Sequence, residues 1–324
     1  MRFREATDSD IPAIAATFDG RNALPLEPRI RQALPGLLAQ LIASPACTLT
    51  VFEDDGRSGM HVVSLAGGIF ARDELIDEYL AAPCPGLVSA VLAALLDGRR
   101  PLLTEDEIRQ SNSGKGLTLV VFPMPYGRHE WDDPQVQELR KLAPQAMMRD
   151  IGGYRLHAIY YEVFTDEAAR YIQAGGYTLL NDFSGRAGTG GFGSECRPRM
   201  LRLTRADLPP GAMSMATQMF DPPQVRLGLT PAEQRVALRA LRGASDRAIA
   251  EGLGLSTETV RSSWRSIYQR LTHVLADVET PAHQPDDTSR GLEKRRVAIE
   301  YLRQNMHELR PTIRSSRSSR PRLT

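Results

Sequence analysis

On the stretch Ser256-Thr257-Glu258-Thr259-Val260-Arg261-Ser262-Ser263-Trp264-Arg265, two kinds of side chain separate at helical spacing. Val260, Trp264, Ile267 and Leu271 recur every three or four residues and mark a core stripe. Glu258, Arg261, Ser262 and Arg265 fall on the opposite stripe. Two arginines one turn apart repel slightly, and a solvated face has no need of short serines between them. A DNA major groove does need them: serines let a helix approach, and guanidiniums reach guanine edges or phosphates. Leu229–Leu271 carries seven arginines against four acidic residues, although the whole chain of 324 residues has a net charge of only +1.

Other residues invite chemistry less well. The glycine-rich runs 185–193 and 111–116 open no helix and lack Gly-Lys-Ser/Thr, so they read as loops rather than phosphate cradles. Cys47, Cys84 and Cys196 are too far apart for a metal site or a disulfide framework, which fits a reducing, cytoplasmic setting. No metal and no cofactor is expected. Polar-tipped aromatics at Tyr126, Trp131, Tyr160 and Tyr161, with His129, are candidates to line a ligand cleft.

The elements that must position these residues are legible as period and punctuation. Strand patterns run over 2–5, 48–53, 61–70, 117–122, 155–164, 177–183 and 199–203, and helical patterns over 11–18, 29–42, 87–96, 134–148 and 167–174. Residues 1–204 therefore read as an α+β domain, a mixed sheet with flanking helices. Two Pro-Pro pairs make 205–228 the expected linker. An all-α domain follows over 229–277, where Thr230, Pro231 and Glu233 spell a capping box with proline at the first helical position. Ser245 and Ser256 read as the next two caps, with Gly254 at a sharp turn.

Residues 278–324 hold a polar linker, a helix and a basic tail with five arginines. Leu292, Arg295, Ile299, Leu302, Met306 and Leu309 in that helix form a short seam. The seam could close a dimer or pack on the N-terminal domain. The charged start of the chain and an apolar run of only 11 residues at 86–96 suggest neither export nor a membrane anchor.

The segment LTPAEQRVALRALRGASDRAIAEGLGLSTETVRSSWRSIYQRL resembles the four-helix DNA-binding domain of LuxR-type (GerE/FixJ-like) regulators. Leu229-Thr230-Pro231, Glu233, Gly243, Ser245, Ile249-Ala250, Leu253-Gly254, Ser256, Thr259-Val260, Ile267 and Leu271 carry the likeness. The resemblance implies that Arg261, Ser262 and Arg265 face bases. It places Ser245, Arg247, Ser256, Thr257 and Thr259 nearer the phosphates, and its usual half-sites imply a homodimer on double-stranded DNA. Asp246, where asparagine is usual, puts one phosphate contact in doubt. A receiver-type N-terminal domain is disfavoured: Glu53-Asp54-Asp55 lies some fifty residues in, and no Lys-Pro occurs.

RFREATDSDIPAIAATF and YYEVFTDEAARYIQAGGYTLLNDF resemble the first strand and helix, and the late strand–helix–turn, of the GCN5-related acetyltransferase fold. That fold implies a glycine loop for the acetyl-coenzyme A pyrophosphate after the fourth strand. Here PMPYGRHEWDD places Glu130, Asp132 and Asp133 there instead, and the donor site reads as lost. The resulting expectation is a non-catalytic, one-component transcription regulator whose N-terminal domain senses an unknown small-molecule or protein effector. The alternatives are an acyltransferase fused to a DNA-binding domain, and a protein-docking adaptor that does not bind DNA.

Overall fold

Apolar side chains at every second position, or in wholly buried runs such as LTLVV, build the sheet on which the N-terminal part rests. The computed structural model describes residues 1–19, 22–56, 59–126, 129–186, 196–209, 215–276 and 290–312. The chain divides into two compact units, Met1–Asp221 and Pro222–Thr324.

In the first unit, strands β1 (Arg2–Glu5), β2 (Cys47–Gly56), β3 (Gly59–Phe70), β4 (Leu117–Val121), β5 (Leu156–Val163), β6 (Thr178–Asp182) and β7 (Arg199–Thr204) form one sheet in the order β1-β2-β3-β4-β5-β7-β6. All neighbours are antiparallel except β4 and β5, which run parallel from Leu117↔Leu156 to Val121↔Tyr161. Parallel neighbours need a long crossover. Helix α6 (Pro134–Ile151) supplies it.

Apolar faces on both sides of the sheet are covered. Helices α1 (Ile11–Thr17), α2 (Pro28–Ala43), α3 (Asp73–Ala81) and α4 (Leu87–Leu96) bury Ile14, Leu38, Ile76 and Leu92 with Val120, Phe122 and Tyr160. On the other face, α6 and α8 (Met215–Phe220) meet Leu119, Ile159 and Leu203, and α7 (Asp166–Ala174) packs Ala168 and Ala169 with Val163 and Leu201. Helix α5 (Glu105–Ser113), capped by Thr104, packs Ile108 beneath the same face. Residues 205–221, read from sequence as linker, include α8, whose Met219 and Phe220 are buried in this unit's core. The Glu53–Asp55 acidic run lies inside the β2–β3 hairpin, and Glu53 accepts hydrogen bonds from Arg2 and Arg4 at 2.9 Å each.

The second unit is helical: α9 (Pro231–Leu241), α10 (Asp246–Leu253), α11 (Thr257–Ala276) and α12 (Arg290–Gln304). The capping box forms, with Thr230 N–H donating to Glu233 Oε2 at 2.6 Å and Glu233 N–H to Thr230 Oγ1 at 3.2 Å. Ser245 Oγ accepts from Ala248 N–H, and Gly254 sits at φ +64° between α10 and α11. Val260, Trp264, Ile267 and Leu271 are buried.

The seam on α12 is used within this unit. Ile299, Leu302, Met306 and Leu309 pack with the α9–α11 core, and Arg295 lies 4.8 Å over the Trp264 ring. The side chain of Leu292 and the tail beyond Thr312 lie outside the described residues. No helix among the described residues is long and apolar enough to cross a membrane.

One glycine is fixed by close approach: a Cβ on Gly67 of β3 would stand 2.0 Å from the Thr48 carbonyl oxygen of β2. The Gly67→Ala variant is expected to lose about 1–3 kcal/mol through forced displacement of that ladder, measured by urea unfolding against wild type.

Candidate functional site

Crossover helix α6 starts well beyond the end of β4, and the chain between them must cross the sheet's open end. Ser64 Oγ donates to the Pro125 carbonyl and fixes this segment. Asn22, at φ +54°, donates from Nδ2 to Met124 O at 2.9 Å and accepts from Phe164 N–H at 3.0 Å. It thereby ties the chain leaving β4 to the chain leaving β5.

Beneath that tie lies a cavity of about 540 Å³, bounded by α6, α7, α8 and the sheet, a size usual for small-molecule sites. Its floor is apolar, from Leu119, Val121 and Leu203, and Met147 and Met219 close one side. At the other side an aromatic group converges. Tyr126 meets Trp131 edge-on at 6.0 Å between centroids, and Trp131 meets Tyr171 at 5.7 Å. The Arg140 guanidinium lies 4.3 Å from the Trp131 centroid and 4.5 Å from that of Tyr171. Burial pushes the Tyr161 phenol up to about 12, so it stays a neutral hydrogen-bonding group at physiological pH.

Three of the four proposed ligand aromatics, Tyr126, Trp131 and Tyr161, line this cavity. Tyr160 does not: the strand alternation turns it into the core on the opposite face. His129 also stands apart, exposed, with Nδ1 3.0 Å from Asp133 Oδ2. Sequence reasoning missed Arg140, Tyr171 and Asn22. The Ala-Arg-Tyr-Ile-Gln-Ala run of α7 held the only usable signal, an aromatic three residues after Ala168 and so on the same side of the helix.

The start of α6 does not fit a nucleotide pyrophosphate. Asp133 already caps it, accepting from Gln135 N–H at 2.8 Å, and Pro134 removes one donor. Asp54 accepts from the Gln135 side chain at 3.0 Å nearby. Carboxylates thus stand where a diphosphate needs N–H groups. Among the described residues, no cluster of His, Cys, Asp and Glu could hold a metal.

In the second unit, Arg261, Ser262, Arg265, Ser256, Thr257 and Thr259 lie exposed along the first turns of α11, with Ser245 and Arg247 exposed at the start of α10. Ser256 Oγ accepts from Thr259 N–H at 3.0 Å and caps α11. Glu258 contacts Arg265 and stands 3.7 Å from Arg261, while Arg247 pairs with Glu251 at 2.9 Å. All five side chains are more than three-fifths exposed, so the pairs are weak and readily exchanged for another anion. Asp246 is not free to oppose a phosphate, because Arg295 holds it at 2.6 Å.

The sheet order, with its single parallel pair and α6 crossover, resembles that of a GCN5-like acetyltransferase fold. Among solved structures, a variant of spermidine N-acetyltransferase SpeG from Vibrio cholerae is 14% identical. It covers 65% of this chain and 100% of its own, with a TM-score of 0.36. Arabidopsis thaliana NAA60, in complex with acetyl-CoA, is 12% identical over 63% of this chain and 97% of its own, with a TM-score of 0.37. A variant agmatine N-acetyltransferase in its apo form is 15% identical over 63% and 98%, with a TM-score of 0.35. No family model and no curated protein matches the sequence. The expectation of a non-catalytic N-terminal domain is at odds with what these neighbours are: two are N-acetyltransferases by name and the third is in complex with acetyl-CoA.

Glu162 of β5 lies under the opposite face. Its Oε1 and Oε2 accept from Gly86 N–H at 2.6 Å and Leu87 N–H at 2.9 Å, at the start of α4. Burial pushes its carboxyl up to about 7 against these two stabilising hydrogen bonds. The folded protein therefore holds a proton there that the unfolded chain releases near 4.5, so stability falls as pH rises between those values. Urea unfolding from pH 4.5 to 7.5 should show wild type losing on the order of 3 kcal/mol relative to Glu162→Gln. Parallel curves for the two proteins would refute the buried, proton-holding carboxyl.

Proposed function

We propose that this chain is an acyltransferase fused to a DNA-binding domain. The observation that carries the enzymatic half is the apolar cavity between α6 and α7, set against the parallel β4–β5 pair of an acetyltransferase-type sheet. Its lining suits an acyl chain, and Tyr161 and Tyr171 bring phenol hydroxyls to its wall. The start of α6 does not suit a nucleotide carrier, so the acyl donor is read as a thioester recognised through its acyl part.

The DNA-binding half rests on the exposed Arg261–Ser262–Arg265 face and on the resemblance to LuxR-type readers. Ser245, Arg247, Ser256, Thr257 and Thr259 flank that face as phosphate-side contacts. Seating of the α12 seam within the second unit argues against that helix as a dimer contact. A dimer on two half-sites would need another surface.

Two measurements test the halves separately. Decanoyl-N-acetylcysteamine and decanoyl-coenzyme A are offered as donors with a polyamine acceptor, and amide product is followed by mass spectrometry. Turnover of both at comparable rates is expected, and turnover of neither removes the acyltransferase reading. Fluorescence anisotropy on duplex from upstream of the gene and on scrambled duplex, across a salt series, tests the other half. Arg261→Ala/Arg265→Ala should weaken binding to the upstream DNA by about 1–3 kcal/mol for each base-reading arginine. Equal binding of variant and wild type at every salt concentration would place the DNA contact elsewhere or nowhere.

A further inference from the structure

The cavity contains one feature that an acyl-chain pocket by itself does not require. Arg140 points a cation at a largely apolar wall, and its Nε is buried with no hydrogen-bond partner among the described residues. The two rings flanking it hold the guanidinium plane in place. They supply no anion. The Tyr171 hydroxyl donates to the Arg140 carbonyl oxygen at 3.3 Å, leaving the guanidinium itself open.

The other charged residue of the lining, Asp150, is already satisfied: it accepts from Thr50 Oγ1 at 2.5 Å and from Arg149 Nε at 2.8 Å. A cation at an apolar wall with no carboxylate beside it is costly, and a ligand anion relieves that cost. The planar fork of a guanidinium matches a carboxylate in two parallel hydrogen bonds. One open guanidinium and one occupied carboxylate favour a single negative charge over a diphosphate.

We infer that the cavity between α6 and α7 is a receptor for an amphipathic carboxylate, with Arg140 in the Trp131–Tyr171 clamp taking the head and the β4–β5 face taking the apolar body. This rests on the reading of the cavity as the ligand site of the acyltransferase half, and names the acid that site accepts. Acetate presents the head without the body, decan-1-ol the body without the head, and 3-phenylpropionate an aromatic body.

Isothermal titration of the full chain with decanoate below its micelle concentration tests the proposal, with those three compounds alongside. Decanoate is expected to bind at least about tenfold more tightly than decan-1-ol or acetate. Arg140→Gln should lose that advantage and Arg140→Lys recover part of it, with unchanged circular-dichroism melts. Tighter binding of 3-phenylpropionate than decanoate would keep the carboxylate receptor and identify an aromatic body. Equal binding of decanoate and decan-1-ol to wild type overturns the proposal even if the variants fail to fold, as does undiminished decanoate binding by a folded Arg140→Gln. Because binding is read without turnover, failure of the transfer assay and failure of this proposal remain separate results.

Discussion

The N-terminal unit depends on one pairing, the parallel contact of β4 with β5. Antiparallel neighbours can be joined by a short turn, whereas this pair needs a crossover long enough to return the chain to the same end of the sheet. That requirement places α6 over the apolar face. The cavity follows from it: α6 and α7 descend from the ends of adjacent strands, and the space between them is filled by neither. Asn22 holds the top of that space by bonding to both departing chains, at a φ that asparagine tolerates better than most residues. The site is thus a consequence of strand direction, with its chemistry added by a few side chains along the two helices.

Much of this framework is readable from the chain as pattern. All seven strands appear where alternation and apolar runs place them, because most are half or wholly buried and their periodicity records that burial, while β1 and β6 are edge strands with no fully buried residue. Helices α3 and α5 are less legible. Both are nine residues long, too short for several repeats of the helical period, and α5 is predominantly polar. In the structure Thr104 and Glu107 form a capping box at the start of α5. Helix α8 is shorter still and sits between two Pro-Pro pairs, which outweigh the weak pattern of Met215, Met219 and Phe220.

The candidate ligand site divides along the same line. Tyr126, Trp131 and Tyr161 were recognisable as amphipathic aromatics, but residue type does not reveal which sheet face a strand residue takes, and Tyr160 takes the other one. Arg140 had no visible signal. In the run Glu138-Leu139-Arg140-Lys141 it reads as one more solvated charge, and its distinction arises only when Trp131 and Tyr171, from opposite sides in sequence, close on it. The acidic run before α6, by contrast, was legible as local charge, and Asp133 there accepts from Gln135 N–H at the helix start.

In the second unit an apparent defect in one segment answers a departure in another. Asp246 stands where the LuxR-type pattern has an uncharged residue, and Arg295 interrupts the apolar seam of α12; each is unfavourable alone. Together they form a part-buried ion pair at 2.6 Å, with the guanidinium also lying over Trp264 of α11. The pair joins α12 to the start of α10 and to the core side of α11. Glu308 then holds the N–H groups of Arg226 and Leu227 at 2.9 Å each, and Gln234 donates to the carbonyls of Glu308 and Arg310. Residues beyond the three-helix pattern therefore clamp both its entry and its second helix, while the exposed face of α11 takes no part in that clamp. Stabilisation and the proposed recognition surface occupy opposite sides of one helix, so the unit can be held rigid without covering Arg261 and Arg265.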